Sequence, residues 1–159
     1  MWLPKSELRC WAMVVECNNK KVIDKINNLD DVDEVIEICG SYDIAMLING
    51  KSPEKIYQGL KMIGNISEVM SVTSYLSVRQ CTKNLQQPNV CILIDTASQD
   101  IEYVWETLCQ MDEAQKIDIV LGAFDIVMTA NVPRDQLGPF LDGIRGITGV
   151  IRVIPMPKL

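Results

Sequence analysis

Two short segments carry side chains able to grip a small polar ligand. Gly40-Ser41-Tyr42-Asp43 runs into Ile44-Ala45-Met46, and Gly122-Ala123-Phe124-Asp125 runs into Ile126-Val127-Met128. Gly40 and Gly122 permit positive φ, which lets backbone N–H groups approach a ligand carboxylate. Asp43 and Asp125 can accept a hydrogen bond from an ammonium group. Tyr42 and Phe124 can wall a pocket. The same residue types also have a purely structural reading, in which glycine makes a turn and aspartate bonds nearby backbone. The motif alone leaves both open.

Other chemistries are excluded by composition. The 159 residues include no histidine, which removes His-dependent triads and His-ligated haem or metal. Fifteen Lys and Arg stand against 21 Asp and Glu, a formal charge of −6. That balance, with no basic run longer than Lys20-Lys21, argues against direct binding to nucleic acid, which relies on displacing counterions from phosphates. The six cysteines form no CxxC pair. Most lie in apolar segments, as in Ile38-Cys39, Val90-Cys91-Ile92 and Leu108-Cys109, where reduced core thiols are expected. No apolar run approaches the length of a membrane span, and the first residues lack the long apolar stretch of a secretion signal. A cytoplasmic protein with no cofactor is the expectation.

The elements that must position the two motifs recur in the same order. In the first half, Trp11–Val15 is a short apolar run that predicts a strand. Val22, Ile26 and Leu29 line one face of a helix. Val32–Cys39 and Tyr42–Ile48 predict two strands joined at Gly40-Ser41. Ser52-Pro53 predicts a helix start, with Ile56, Leu60 and Ile63 as its buried stripe. Val69–Val78 predicts the closing strand. In the second half, Val90–Ile94 is a strand, and Ile101, Val104, Trp105 and Leu108 mark a helix. Ile117–Leu121 and Phe124–Ala130 form the hairpin. Leu137, Phe140, Leu141 and Ile144 mark a helix, with Gly138-Pro139 in conflict near its start. Val150–Ile154 closes the unit, with Pro155 and Pro157 expected to end it.

The fold class predicted is α+β: tandem ferredoxin-like β-α-β-β-α-β plaits, resembling a dimeric α/β barrel. The domains expected are residues 1–78 and 90–159, joined by a polar linker over 79–89. In Tyr42–Ile48, Ile44, Met46 and Ile48 point one way and Ala45 and Leu47 the other, so both sheet faces are apolar. Helices cover only one, so the antiparallel sheets are expected to pack face to face.

The hairpin motif, Ile-Cys-Gly-Ser-Tyr-Asp-Ile in one half and Val-Leu-Gly-Ala-Phe-Asp-Ile in the other, resembles the effector-binding (RAM) domain of the Lrp/AsnC family. A strand there ends in Gly-x-Tyr-Asp, and the final strand opens with Gly-Val and carries threonines. Gly149-Val150 matches the opening. Ser71-Val72-Thr73-Ser74-Tyr75 keeps hydroxyls where the family has threonines, whereas Arg152-Val153-Ile154-Pro155 keeps none. Only about ten residues precede the first strand, so no counterpart of the family's DNA-reading helix-turn-helix is expected. The resemblance implies a ligand site of Gly40, Ser41, Tyr42, Asp43 and Ser74, and of Gly122, Ala123, Phe124 and Asp125. It implies a small-molecule effector, amino-acid-like, bound at contacts between RAM units. Regulation of transcription would then run through homo-oligomers or association with Lrp-type regulators. A scaffold that binds no ligand is the alternative. An enzyme of the tetrapyrrole decarboxylase type ranks below both, because such chemistry generally draws on histidine.

The remaining features have plain readings. Asp30, Asp31, Asp33 and Glu34 lack the spacing of a calcium loop and read as a solvated connection. Lys51, Lys55 and Lys61 read as the wet face of a helix. Met62, Met70, Met111 and Met128 read as core filler. Trp2 and Leu3 read as an edge cover, an oligomer contact or a mobile end.

Overall fold

A computed structural model describes residues 8–17, 19–83 and 86–159. Trp2 and Leu3 lie outside the described residues. The chain divides into two compact units: residues up to Ile36 with Tyr42–Leu76, and Glu37–Ser41 with Ser77–Leu159.

The first unit contains β1 (Leu8–Glu16), α1 (Asn19–Ile26), β2 (Val32–Glu37), β3 (Ile44–Gly50), α2 (Pro53–Gly64) and the start of β4 (Val69–Thr82). Its strands lie in the order β2-β3-β1-β4. The second contains β5 (Val90–Thr96), α3 (Ile101–Cys109), β6 (Ala114–Leu121), β7 (Ile126–Ala130), α4 (Leu137–Arg145) and β8 (Val150–Pro157). Its order is β6-β7-β5-β8. Both are β-α-β-β-α-β plaits, as the hydrophobic pattern predicts.

Local chemistry accounts for the element ends. The Ser52 hydroxyl accepts the Lys55 N–H at 3.3 Å, and Pro53 sits in the first turn of α2, where its missing N–H costs nothing. The Gly138-Pro139 conflict resolves the same way, because both fall in the first turn of α4. Two expectations need correction. Strand β4 runs on to Thr82, so Arg79–Thr82 is strand rather than linker. Pro155 and Pro157 lie within β8 instead of ending it. They oppose Ile92 and Val90, and β8 is the last strand in its unit's order. Lys158, between Pro157 and the terminus, donates its N–H to Asn89 at 2.8 Å. The alternation therefore turns the missing proline N–H groups away from β5.

The helix side of each sheet is a separate core. In the first unit, Cys10, Ala12 and Val14 of β1 and Ile44, Met46 and Ile48 of β3 pack with Val22, Ile26, Ile56 and Ile63. In the second, Ile92, Ile94, Ile126 and Met128 pack with Val104, Leu108, Leu141 and Ile144. The opposite faces are equally dry. Trp11, Met13, Ala45, Leu47 and Tyr75 are buried in the first unit, and Cys91, Leu93, Val127 and Thr129 in the second. Met128 is core, but Met62 and Met70 are exposed, correcting their reading as filler. Helix α2 turns Met62 away from the stripe of Ile56 and Ile63, while Met70 falls at the register shift between β1 and β4, between Ser71 opposite Val15 and Val69 opposite Glu16. All six cysteines are thiols outside any disulfide: Cys10 and Cys91 are buried, Cys81 and Cys109 half-buried, and Cys17 and Cys39 exposed. Burial pushes the Cys10 thiol up to about 11. Among the described residues, no helix is long and apolar enough to cross a membrane.

Gly149, just before β8, is held at φ +98°, and a Cβ there would lie 2.3 Å from the Asp100 Cβ. Its carbonyl accepts the Ala97 N–H at 2.8 Å, tying the entry of β8 to the end of β5. Gly149→Ala is therefore expected to lower unfolding free energy by about 2–4 kcal/mol, combining the left-handed backbone penalty with overpacking. Urea denaturation followed by far-ultraviolet circular dichroism measures it. A loss under about 0.5 kcal/mol would contradict the close approach.

Candidate functional site

The aspartates of the duplicated motif have the same job in both units. Strand β1 shifts register between Val15 and Glu16 against β4, and β5 shifts between Asp95 and Thr96 against β8. Such an irregularity frees a backbone N–H from the ladder. The Asp43 Oδ2 accepts the Glu16 N–H at 3.0 Å. The Asp125 Oδ2 accepts the Thr96 N–H at 2.9 Å, and the Thr96 hydroxyl donates to the same oxygen at 3.4 Å. The backbone of each aspartate reaches the same strand: Asp43 N–H donates to the Val14 carbonyl at 2.9 Å, and Asp125 N–H to the Ile94 carbonyl at 3.0 Å. Each Asp thus fastens its hairpin to the irregular turn of the neighbouring strand.

The rest of the motif is asymmetric. Gly40 takes φ +133°, whereas Gly122, at +157°, is nearly extended. Gly40, Ser41, Gly122 and Ala123 are exposed, while Tyr42 is half-buried and Phe124 buried. Arg152 stacks its guanidinium over the Phe124 ring at 4.7 Å. Its Nε and Nη2 both donate to the Asp95 Oδ2, at 3.1 and 2.8 Å. One face of Phe124 is therefore already covered. Sequence reasoning missed Asp95 and Thr96. It noted Arg152 only as a missing hydroxyl, although Asp95 and Arg152 are cross-strand partners of opposite charge.

Ser74 is placed elsewhere in the first unit. It lines a groove of about 470 Å³ between α2 and β4 with Tyr57, Leu60, Lys61, Asn65 and Val72. The lining follows from periodicity: Tyr57 and Lys61 are four apart on α2, and Val72 and Ser74 share a face of β4. Asn65 caps the helix, its N–H donating to the Lys61 carbonyl at 3.0 Å. The groove combines an ammonium, an amide and a hydroxyl with the apolar walls of Leu60 and Val72. Of the expected site residues, only Ser74 is in it. Lys61 is exposed, as the wet-face reading expects, and its spacing from Tyr57 and Asn65 sets it at the groove.

The plait architecture defines the class of fold, and comparison with known proteins gives it company. No family model and no curated protein matches the sequence. Among solved structures, the siroheme decarboxylase NirDL, in complex with an iron-uroporphyrin III analogue, matches 94% of this chain and 70% of its own. The TM-score is 0.73 at 6% identity. An anthrone oxidase-like protein matches 96% of this chain and 94% of its own, with a TM-score of 0.53 and 8% identity. AsnC of E. coli matches 55% of this chain at 18% identity, with a TM-score of 0.47. The matches span 66% of AsnC and 56% of a feast or famine regulatory protein from M. tuberculosis, under two thirds of either length. NirDL and the anthrone oxidase-like protein share the fold of this chain; at such identities they establish nothing about its chemistry.

Removing the motif carboxylates orphans the N–H groups they satisfy. Asp43→Ala and Asp125→Ala are each expected to cost about 1.5–3 kcal/mol, with Asp125 the larger because Thr96 offers two donors. Urea midpoints at pH 7 test this. Two neutral substitutions would remove the fastening role.

Proposed function

We propose that this protein is a regulatory effector-binding module whose ligand is a small amino-acid-type molecule, seated in the groove between α2 and β4. The observation that carries the reading is the composition of that groove. Lys61 supplies a cation for a carboxylate, Asn65 and Ser74 supply acceptors for an ammonium, and Leu60 and Val72 supply an apolar wall for a side chain. The resemblance of the duplicated hairpin to Lrp/AsnC effector domains supports the same class. In this reading the ligand acts by binding one association state, homo-oligomeric or with an Lrp-type regulator, better than another. The protein does not itself catalyse a reaction or bind nucleic acid. Its fold likeness to NirDL keeps tetrapyrrole chemistry as the second reading, set against a chain without histidine.

Thermal denaturation with each of the twenty amino acids tests the proposal. A ligand at about a hundred times its dissociation constant stabilises by about 2.7 kcal/mol, and the melting temperature should rise by about 5–10 °C. Lys61→Ala should abolish the rise while leaving the unliganded melting temperature within about 1 °C, since Lys61 is exposed. A response that survives Lys61→Ala would place the site elsewhere. No response to any amino acid would favour the scaffold reading. A new visible absorption band on adding an iron tetrapyrrole would favour the enzyme.

A further inference from the structure

Within the second unit, the tail of β4 is fastened to α3 by a ladder of contacts. Alternation puts residues 79, 81 and 83 on one side of the extended chain. The Arg79 guanidinium stacks over the Trp105 ring at 4.6 Å and pairs with Glu102 at 2.8 Å. The Lys83 ammonium donates to the Met111 carbonyl. Trp105 is itself anchored, its indole N–H donating to the Ile117 carbonyl at 2.9 Å. Between these fastenings stand Cys81 on the strand and Cys109 on the helix. Glu102, Trp105 and Cys109 recur at helical spacing, so they face the strand together. Both cysteines are half-buried and pack against the same apolar cluster.

We propose that Cys81 and Cys109 form a reversible intramolecular disulfide that locks the tail of β4 onto α3. With oxidised glutathione, the Cys81 thiolate attacks one sulfur of the reagent and displaces a glutathione thiolate. Cys109 then loses its proton and attacks the Cys81 sulfur, displacing the second glutathione. Two protein thiols are oxidised to one disulfide, and one glutathione disulfide is reduced to two thiols. Burial, and then the neighbouring Cys81, push the Cys109 thiol up to about 12, while Lys83 and Arg79 oppose that rise. Cys109 is thus poorly suited to attack first and serves as the resolving thiol.

The experiment treats the reduced full chain with oxidised glutathione, blocks remaining thiols by alkylation and maps peptides by mass spectrometry. The expected product has lost two hydrogens, contains a Cys81–Cys109 linked peptide and melts about 5–10 °C higher. Dithiothreitol reverses the change. In Cys109→Ser, Cys81 should stop at the glutathione adduct. Adducts at exposed Cys17 and Cys39 with Cys81 and Cys109 unlinked, or links between other cysteine pairs, would overturn the proposal. Wild-type mapping alone decides this if Cys109→Ser does not fold.

Discussion

A sheet with two apolar faces carries a specific hazard. When one face is buried and the other wet, a one-residue slip exposes every hydrophobic side chain, so the pattern itself holds the register. Here Ile44, Met46 and Ile48 face the helices while Ala45 and Leu47 lie equally buried on the other side. In β5, Ile92 and Ile94 face the helices while Cys91 and Leu93 are buried opposite. Slipping such a strand exchanges one apolar face for another. Hydrophobic burial holds strands like these within each unit but discriminates weakly between registers, so polar devices must supply the discrimination.

The motif aspartates are those devices. Each spends a carboxylate oxygen on an N–H at the register shift, and a partner one residue away would orphan a part-buried donor. Asn89 does the same at the other end of the second unit, its Oδ1 accepting the Val132 N–H at 2.9 Å and its own N–H donating to the Ala130 carbonyl at 3.0 Å. The close fit of Gly149 against Asp100 adds a steric stop. A motif whose residue types suit ligand binding therefore earns its duplication structurally. The groove between α2 and β4, lined by residues of two consecutive elements from Tyr57 to Ser74, lies apart from that motif. In the second unit, Arg152 over Phe124 fills the matching motif and sets the two copies apart.

The polar stretch after Val78 shows the same division. Its composition suits a linker, yet Arg79, Cys81 and Lys83 each meet a partner on or just beyond α3. The tail is strand because its backbone pairs with β6, the Lys83 N–H donating to the Gln115 carbonyl at 2.8 Å, while α3 meets the side chains of one face.

Periodicity settled most of the architecture in advance. The element order, the twofold repeat, the cap at Ser52 and the two-faced hairpin strands all follow from local pattern, because burial acts on spacing within a few residues. Composition likewise excluded histidine chemistry outright. Other features depended on who stands across from whom. Pro155 and Pro157 stay within a strand because their missing N–H groups turn away from β5. Asp43 and Asp125 are backbone partners because β1 and β5 shift register just there. Lys61 joins Ser74 because a helix crosses a strand beside it. Sequence records the type and spacing of side chains. Pairing across strands is a property of the folded chain, and hydrogen bonds and grooves come into being only with it.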